Sequence, residues 1–168
     1  MTFCGKSSAF LPLIMTESAE TIHFAVVGVG HIGTRHAHMI SLNPNAKLVA
    51  VVDIKSPAEL NIPQNIPVYQ NIEEMLMHHA NVDVVSIATP NGFHAQHAIQ
   101  ALSMGRHVVV EKPMALSVDD CNSIIQEAQK RNKRIFCVMQ NRFSPPSLCI
   151  KSIIDDNILG EIFQVQVV

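Results

Sequence analysis

Apolar residues in this chain come in short, nearly continuous runs, each closed by a polar or glycine-containing corner and separated by stretches of helical spacing. Residues 23–27 (His-Phe-Ala-Val-Val), 48–53 (Leu-Val-Ala-Val-Val-Asp), 82–88 (Val-Asp-Val-Val-Ser-Ile-Ala), 107–111 (His-Val-Val-Val-Glu) and 134–139 (Arg-Ile-Phe-Cys-Val-Met) predict buried strands. Such continuous apolar character suits a strand covered on both faces. Ile32, Ala37 and Ile40 predict a helix over 31–42, and Asn71 with Glu74 three residues on predicts a capped helix through His79. A third helix is expected over 93–104, closed by Gly105, and a fourth from the Ser117/Asp120 capping pair to about Arg131. The Pro- and Asn-rich stretch 55–67 reads as loop, followed by a short extended piece at Val68 and Tyr69. Strands alternating with helices predict a doubly wound α/β fold, a parallel sheet with right-handed crossovers.

The first strand runs into Gly28-Val29-Gly30-His31-Ile32-Gly33, three glycines in G-x-G-x-x-G spacing. Gly28 permits a tight turn, Gly30 lets backbone approach a phosphate, and Gly33 lets a helix lie close to its strand. The helix opening at His31 then aims free N–H groups and a partial positive charge at an anion. A lone glycine motif says little, but the second strand ends on Asp53, twenty residues beyond Gly33. That is where a dinucleotide site places the carboxylate that accepts from the adenosine ribose hydroxyls. In a doubly wound sheet, ligands bind beyond the C-terminal ends of the strands. Gly28, Asp53 with Ile54, Thr89-Pro90-Asn91, Glu111-Lys112 and Gln140-Asn141-Arg142 all fall there.

At 168 residues the chain suits one domain of ordinary size with a real core. A formal charge of −2 and a single basic cluster, residues 130–134 at a helix end, argue against nucleic acid or an anionic membrane as partner. No apolar run reaches the roughly 20 residues that cross a bilayer. The four cysteines show no C-x-x-C spacing, and the histidine pairs His36/His38, His78/His79 and His94/His97 have no carboxylate or cysteine at metal-ligand spacing, so no metal is expected. A reducing cytoplasm fits best. The apolar stretch 9–15 after Lys6 resembles a signal peptide, but it is short, contains Pro12 and runs into Glu17, so residues 1–20 are expected to be a disordered extension, with Met15 an alternative start.

Residues 22–168 resemble the N-terminal half of the glucose-fructose oxidoreductase, inositol dehydrogenase and MocA family of NAD(P)-dependent oxidoreductases. The resemblance is carried by the glycine loop through His36, by Ala88-Thr89-Pro90-Asn91 with His94, by Gly105-Arg-His-Val-Val-Val-Glu-Lys-Pro113, and by Gln140-Asn-Arg-Phe143. The Glu-Lys-Pro motif, some eighty residues beyond the glycine loop, is the most specific of these. The resemblance implies that Gly28, Val29, Gly30, His31 and Ile32 cradle the pyrophosphate and that Asp53 and Ile54 meet the adenosine. Ala88, Thr89, Pro90, Asn91 and His94 would line the path to the nicotinamide, and Glu111 and Lys112 would sit at its ribose, with Lys112 also reaching the substrate. The Lys112-Pro113 bond is often cis in this family.

Gln140 and Arg142 are further cofactor candidates, Arg142 equally a structural ion-pair residue; their run resembles members acting on nucleotide-linked amino sugar acids. NAD is the expected cofactor, with NADP left open by Lys55 beside Asp53. Lys112 and His94 are the expected catalytic residues, His94 at the mouth of the site as a base or an orienting group. Substrates would be a sugar, polyol or nucleotide sugar. Full-length members continue for about as many residues again, in a domain that supplies an Asp/His proton-transfer pair and the oligomer surface. The expected division is therefore a dinucleotide-binding domain over 21–158 and, over 159–168, the first strand of a truncated substrate domain, leaving a chain that binds cofactor without turnover. A nucleotide-sensing module of the same fold is the alternative, and a methyltransferase-like domain is disfavoured by Glu111-Lys112-Pro113.

Overall fold

A computed structural model describes residues 20–166. Six strands form one parallel sheet: β1 (Ile22–Val27), β2 (Ala46–Val52), β3 (Val68–Tyr69), β4 (Val84–Ile87), β5 (His107–Val110) and β6 (Ile135–Cys137), in the order β3-β2-β1-β4-β5-β6. Chain order reverses between β1 and β4, and that reversal opens a crevice at the C-terminal edge of the sheet. The doubly wound expectation is met.

Side chains alternate across each strand, so the sheet carries a core on both faces. On one face Val26, Leu48 and Val51 pack with Ala37 of α1 (His31–Leu42) and Leu60 of the following loop. On the other, Ala25, Val27, Val85, Ile87, Val108 and Val110 pack against α2 (Ile72–His78), α3 (His94–Ser103) and α4 (Val118–Lys130). The larger second cluster holds the elements that follow the reversal, and fully burying each Val or Ile contributes about 1.5–3 kcal/mol.

Local chemistry sets the helix ends. Asn71 Oδ1 accepts from the Glu74 amide at 2.8 Å and Ser117 Oγ from the Asp120 amide at 3.0 Å, as the sequence pattern predicts. Gly105, at φ +78°, ends α3: its own amide donates to Leu102 and that of Arg106 to Ala101, the paired bonds of a left-handed C-cap. The expected helix over 93–104 begins as a 3-10 turn, Asn91–Phe93, before α3.

Two differences from expectation concern the C-terminal part. A fifth helix, α5 (Pro145–Asp155), follows a 3-10 turn at Gln140–Phe143, with Ser144 as N-cap and Pro145 at its first position. Residues 161–166, expected as a strand, lie outside the sheet, whose near edge is the three-residue β6. A strand exists only by pairing, and no neighbour is at hand among the described residues. The extension over 1–20 falls, except for Glu20, outside the described residues, as do Val167 and Val168.

Candidate functional site

The glycine loop is shaped by contacts that leave no room for side chains. Gly28 sits at φ +83°, and a Cβ there would lie 2.8 Å from both the amide nitrogen and Cγ2 of Thr89 in the β4 corner. A Cβ on Gly33 would overlap the Gly28 carbonyl oxygen, so its absence is what lets α1 approach β1. Gly30 differs: open space lies where its Cβ would be. Gly30 is also the N-cap of α1, without a side-chain cap, and the first turn carries no acidic residue. The free amides of that turn are therefore not spent internally, and space stands open above them, which suits a phosphate.

Asp53 faces this loop. Its Oδ2 accepts from the Val29 amide at 2.6 Å and its Oδ1 from the Lys55 amide at 2.9 Å. The carboxylate is fixed against the glycine loop while keeping lone-pair capacity for hydroxyl donors. Ile54 beside it is 89% exposed, an apolar surface available to a flat ring.

A cleft of about 360 Å³ opens where β4, β5 and β6 end. Ile32, Arg35, His36 and Met39 of α1 form one wall; Ala88, Thr89 and Asn91 with His94 of α3, then Glu111 and Lys112, then Val138 and Gln140 form the others. Lys112 is exposed, and the Lys112-Pro113 bond is cis. The structure thus brings together at one edge the β4, β5 and β6 candidates, with the glycine loop and Asp53 across the reversal. Arg142 is exposed in the 3-10 turn and does not line the cleft.

His94 requires a correction. Its ring is wholly buried in the wall of the cleft, with Nδ1 2.7 Å from the Pro113 carbonyl oxygen and Nε2 2.8 Å from that of Thr89. Both nitrogens face carbonyl oxygens, to only one of which a neutral ring can donate; fully buried between the corners after β4 and β5, His94 does not stand at the mouth of the site as a free base. His97, one turn on, stacks on Phe93 and contacts Thr89 Oγ1 at 3.2 Å; burial, reinforced by His94 and opposed by Glu73, holds its imidazole below the ordinary value. Burial, with Glu111 adding to it, pushes the Cys137 thiol up, which favours its protonated form.

Sequence reasoning passed over His36 as a site residue. Its Nδ1 lies 2.8 Å from Ser86 Oγ of β4 and its Nε2 3.0 Å from Glu111 Oε1. The pairing spans 75 residues of chain and no local spacing announces it.

Fold and site together define a dinucleotide-binding α/β domain. Residues 22–139 match the family model described as "Oxidoreductase family, NAD-binding Rossmann fold", and the chain belongs to that family, named for glucose-fructose oxidoreductase, inositol dehydrogenase and MocA. It is 31% identical over 144 residues to the glucose-6-phosphate 3-dehydrogenase of Bacillus subtilis, covering 84% of this chain and 40% of that protein. Among solved structures, the WlbA dehydrogenase of Chromobacterium violaceum in complex with NADH and UDP-GlcNAcA superposes with a TM-score of 0.79 at 30% identity, covering 88% of this chain and 43% of that one. Scyllo-inositol dehydrogenase of Lactobacillus casei, with bound NAD(H) and scyllo-inositol, gives 0.74 at 30% identity, covering 85% and 43%. The chain thus spans about two fifths of the length of these relatives. No helix among the described residues is long and apolar enough to cross a membrane.

Proposed function

We propose that this chain is the cofactor-holding part of a dehydrogenase that moves hydride between the C–OH carbon of a sugar, polyol or nucleotide sugar and a nicotinamide. The observation that carries this reading is the convergence of Glu111 and Lys112 from β5 with Ala88, Thr89 and Asn91 from β4 in one cleft, across the sheet reversal from an uncapped glycine-loop helix. Relatives bound to NADH with a nucleotide sugar, or to NAD(H) with an inositol, support the substrate class.

In this reading the free amides of α1 hold the pyrophosphate and Asp53 accepts from the adenosine ribose. Glu111 accepts from the nicotinamide ribose. The Lys112 ammonium donates to the substrate oxygen, orienting the carbinol and stabilising negative charge as it develops. The nicotinamide, when bound, supplies the hydride chemistry, and the protein supplies binding and orientation. Lys112 is the one lysine among the cleft-lining residues, and the rings of His94 and His36 are held by partners within the protein, so the chain by itself is expected to bind cofactor with negligible turnover. The free cysteines Cys121, Cys137 and Cys149 support a reducing cytoplasm.

Titrating the chain with NADH while following nicotinamide fluorescence tests the reading. Saturable binding that Gly30→Glu abolishes, by filling the open space above α1 with a like charge, is the expected result. Absence of saturation by NADH and by NADPH up to millimolar concentrations would overturn it.

A further inference from the structure

His36 stands on α1, the helix that begins at the glycine loop, yet its ring reaches the opposite end of the cleft. Nε2 meets Glu111 Oε1 at 3.0 Å, Nδ1 meets Ser86 Oγ at 2.8 Å, and the second carboxylate oxygen, Oε2, accepts from the Lys112 amide at 3.2 Å. Ser86 is 3% exposed, and the His36 and Glu111 side chains are 18% and 15% exposed, so the bonds are largely shielded from water. Ser86 lies too deep to meet a substrate, and its hydroxyl can donate or accept as the ring requires. With Nε2–H donating to the carboxylate, Nδ1 accepts from the serine; with both nitrogens protonated, Nδ1–H donates to it. The contacts close in either state.

We propose that His36 is a positioning residue: it clamps one oxygen of Glu111 so that the other holds the Lys112 backbone, thereby fixing the corner from which the Lys112 side chain projects and tying that corner to the helix beneath the pyrophosphate loop. The link to hydride transfer rests on the function proposed above; the clamp itself is a property of the cofactor-free chain. Glu111 gains rigidity from two anchors on different elements, α1 and its own strand end, whereas a single anchor would leave the carboxylate free to swing about its side-chain torsions.

The test uses the isotopically labelled chain without cofactor, reading the Lys112 amide by NMR. His36→Phe keeps an aromatic ring but removes both nitrogens; the Lys112 amide resonance should shift and its hydrogen exchange accelerate at least fivefold, with the core amides of Val26 and Val51 unchanged. His36→Gln places an amide nitrogen near the position of Nε2 and should keep Lys112 within twofold of the parent. If His36→Phe does not fold, His36→Asn, which reaches Ser86 but not Glu111, takes its place with the same expected release. A Lys112 amide indifferent to His36→Phe or His36→Asn, or a Gln variant as loose as Phe, would overturn the clamp. In a second arm, NADH should bind the released variant within threefold of the parent while its nicotinamide fluorescence enhancement falls by half or more, because the pyrophosphate loop is intact and the ring end is not. Unchanged enhancement would overturn the coupling to Lys112. Failure of the parent chain to bind NADH would instead strike the proposed function and leave the amide result to decide the clamp.

Discussion

The Nδ1 nitrogen of His94 lies 2.7 Å from the carbonyl oxygen of Pro113, joining two corners nineteen residues apart in the chain. With Nε2 on the Thr89 carbonyl, the ring bridges the ends of β4 and β5 from a fully buried position. His94→Ala removes the hydrogen bond that the ring donates to one of these carbonyls and opens a cavity, so it should destabilise the fold by about 2–4 kcal/mol in urea unfolding. A loss below about 0.5 kcal/mol would mean that neither contact contributes.

Gly33 makes a second prediction. Because a Cβ there would overlap the Gly28 carbonyl oxygen, Gly33→Ala must push α1 away from β1. The expected cost is at least the 1–3 kcal/mol typical of roughly one methyl of overpacking, together with loss of NADH binding as the loop distorts. Gly30→Ala, which meets open space, should leave stability within about 0.5 kcal/mol of the parent and weaken NADH alone. Equal thermal midpoints for the Gly33 variant and the parent would contradict this.

Asp53 should favour NADH over NADPH by tenfold or more. Both its oxygens are held by backbone amides, Val29 and Lys55, so the carboxylate is not free to turn away from a negatively charged 2′-phosphate. Dissociation constants for the two cofactors check this, and Asp53→Ala should bring them within threefold of each other while weakening NADH. NADPH binding as tightly as NADH to the parent chain would rule the preference out.

His97 gives a pH dependence of known sign. Its imidazole is held below the ordinary 6.5, chiefly by burial, so the unfolded chain takes up the proton first as pH falls. Stability is therefore full above about 6.5 and is lost as pH drops from there toward the folded value. His107, also held down by burial and by Lys133 and Arg134, acts in the same direction. The urea midpoint should fall between pH 7.5 and 5.5, and His97→Gln should flatten part of that slope. An identical slope in the variant would exclude His97 as a contributor.

What the sequence made legible follows from range. β1, β2, β4 and β5 are mainly apolar runs because both faces of the sheet are covered, and the caps at Asn71 and Ser117 lie within three residues of what they cap, so local reading suffices. The glycine loop, Asp53 and the Glu111-Lys112 corner were legible because strand ends share one edge of a parallel sheet. α5 was not, since two prolines and the preceding polar run mask a start that Ser144 and Pro145 in fact signal. The burial of His94 and the pairing of His36 with Ser86 and Glu111 depend on how separate strands and helices meet, and no spacing along the chain encodes them. Residues 161–166 carry strand-forming side chains, but strand character is completed only by a neighbour.

The reversal between β1 and β4 also makes cofactor occupancy a term in the folding equilibrium. The loops after β1 and β2 lie within residues 28–56 and those after β4 and β5 within residues 88–117, and they meet only when the sheet is assembled. A dinucleotide seated across them recognises the native arrangement and nothing in the unfolded chain. At a hundredfold excess over its dissociation constant it would add about 2.7 kcal/mol to stability. The melting temperature of this domain therefore reports the redox cofactor pool around it, and depletion of that pool would expose it to proteolysis before any residue had changed.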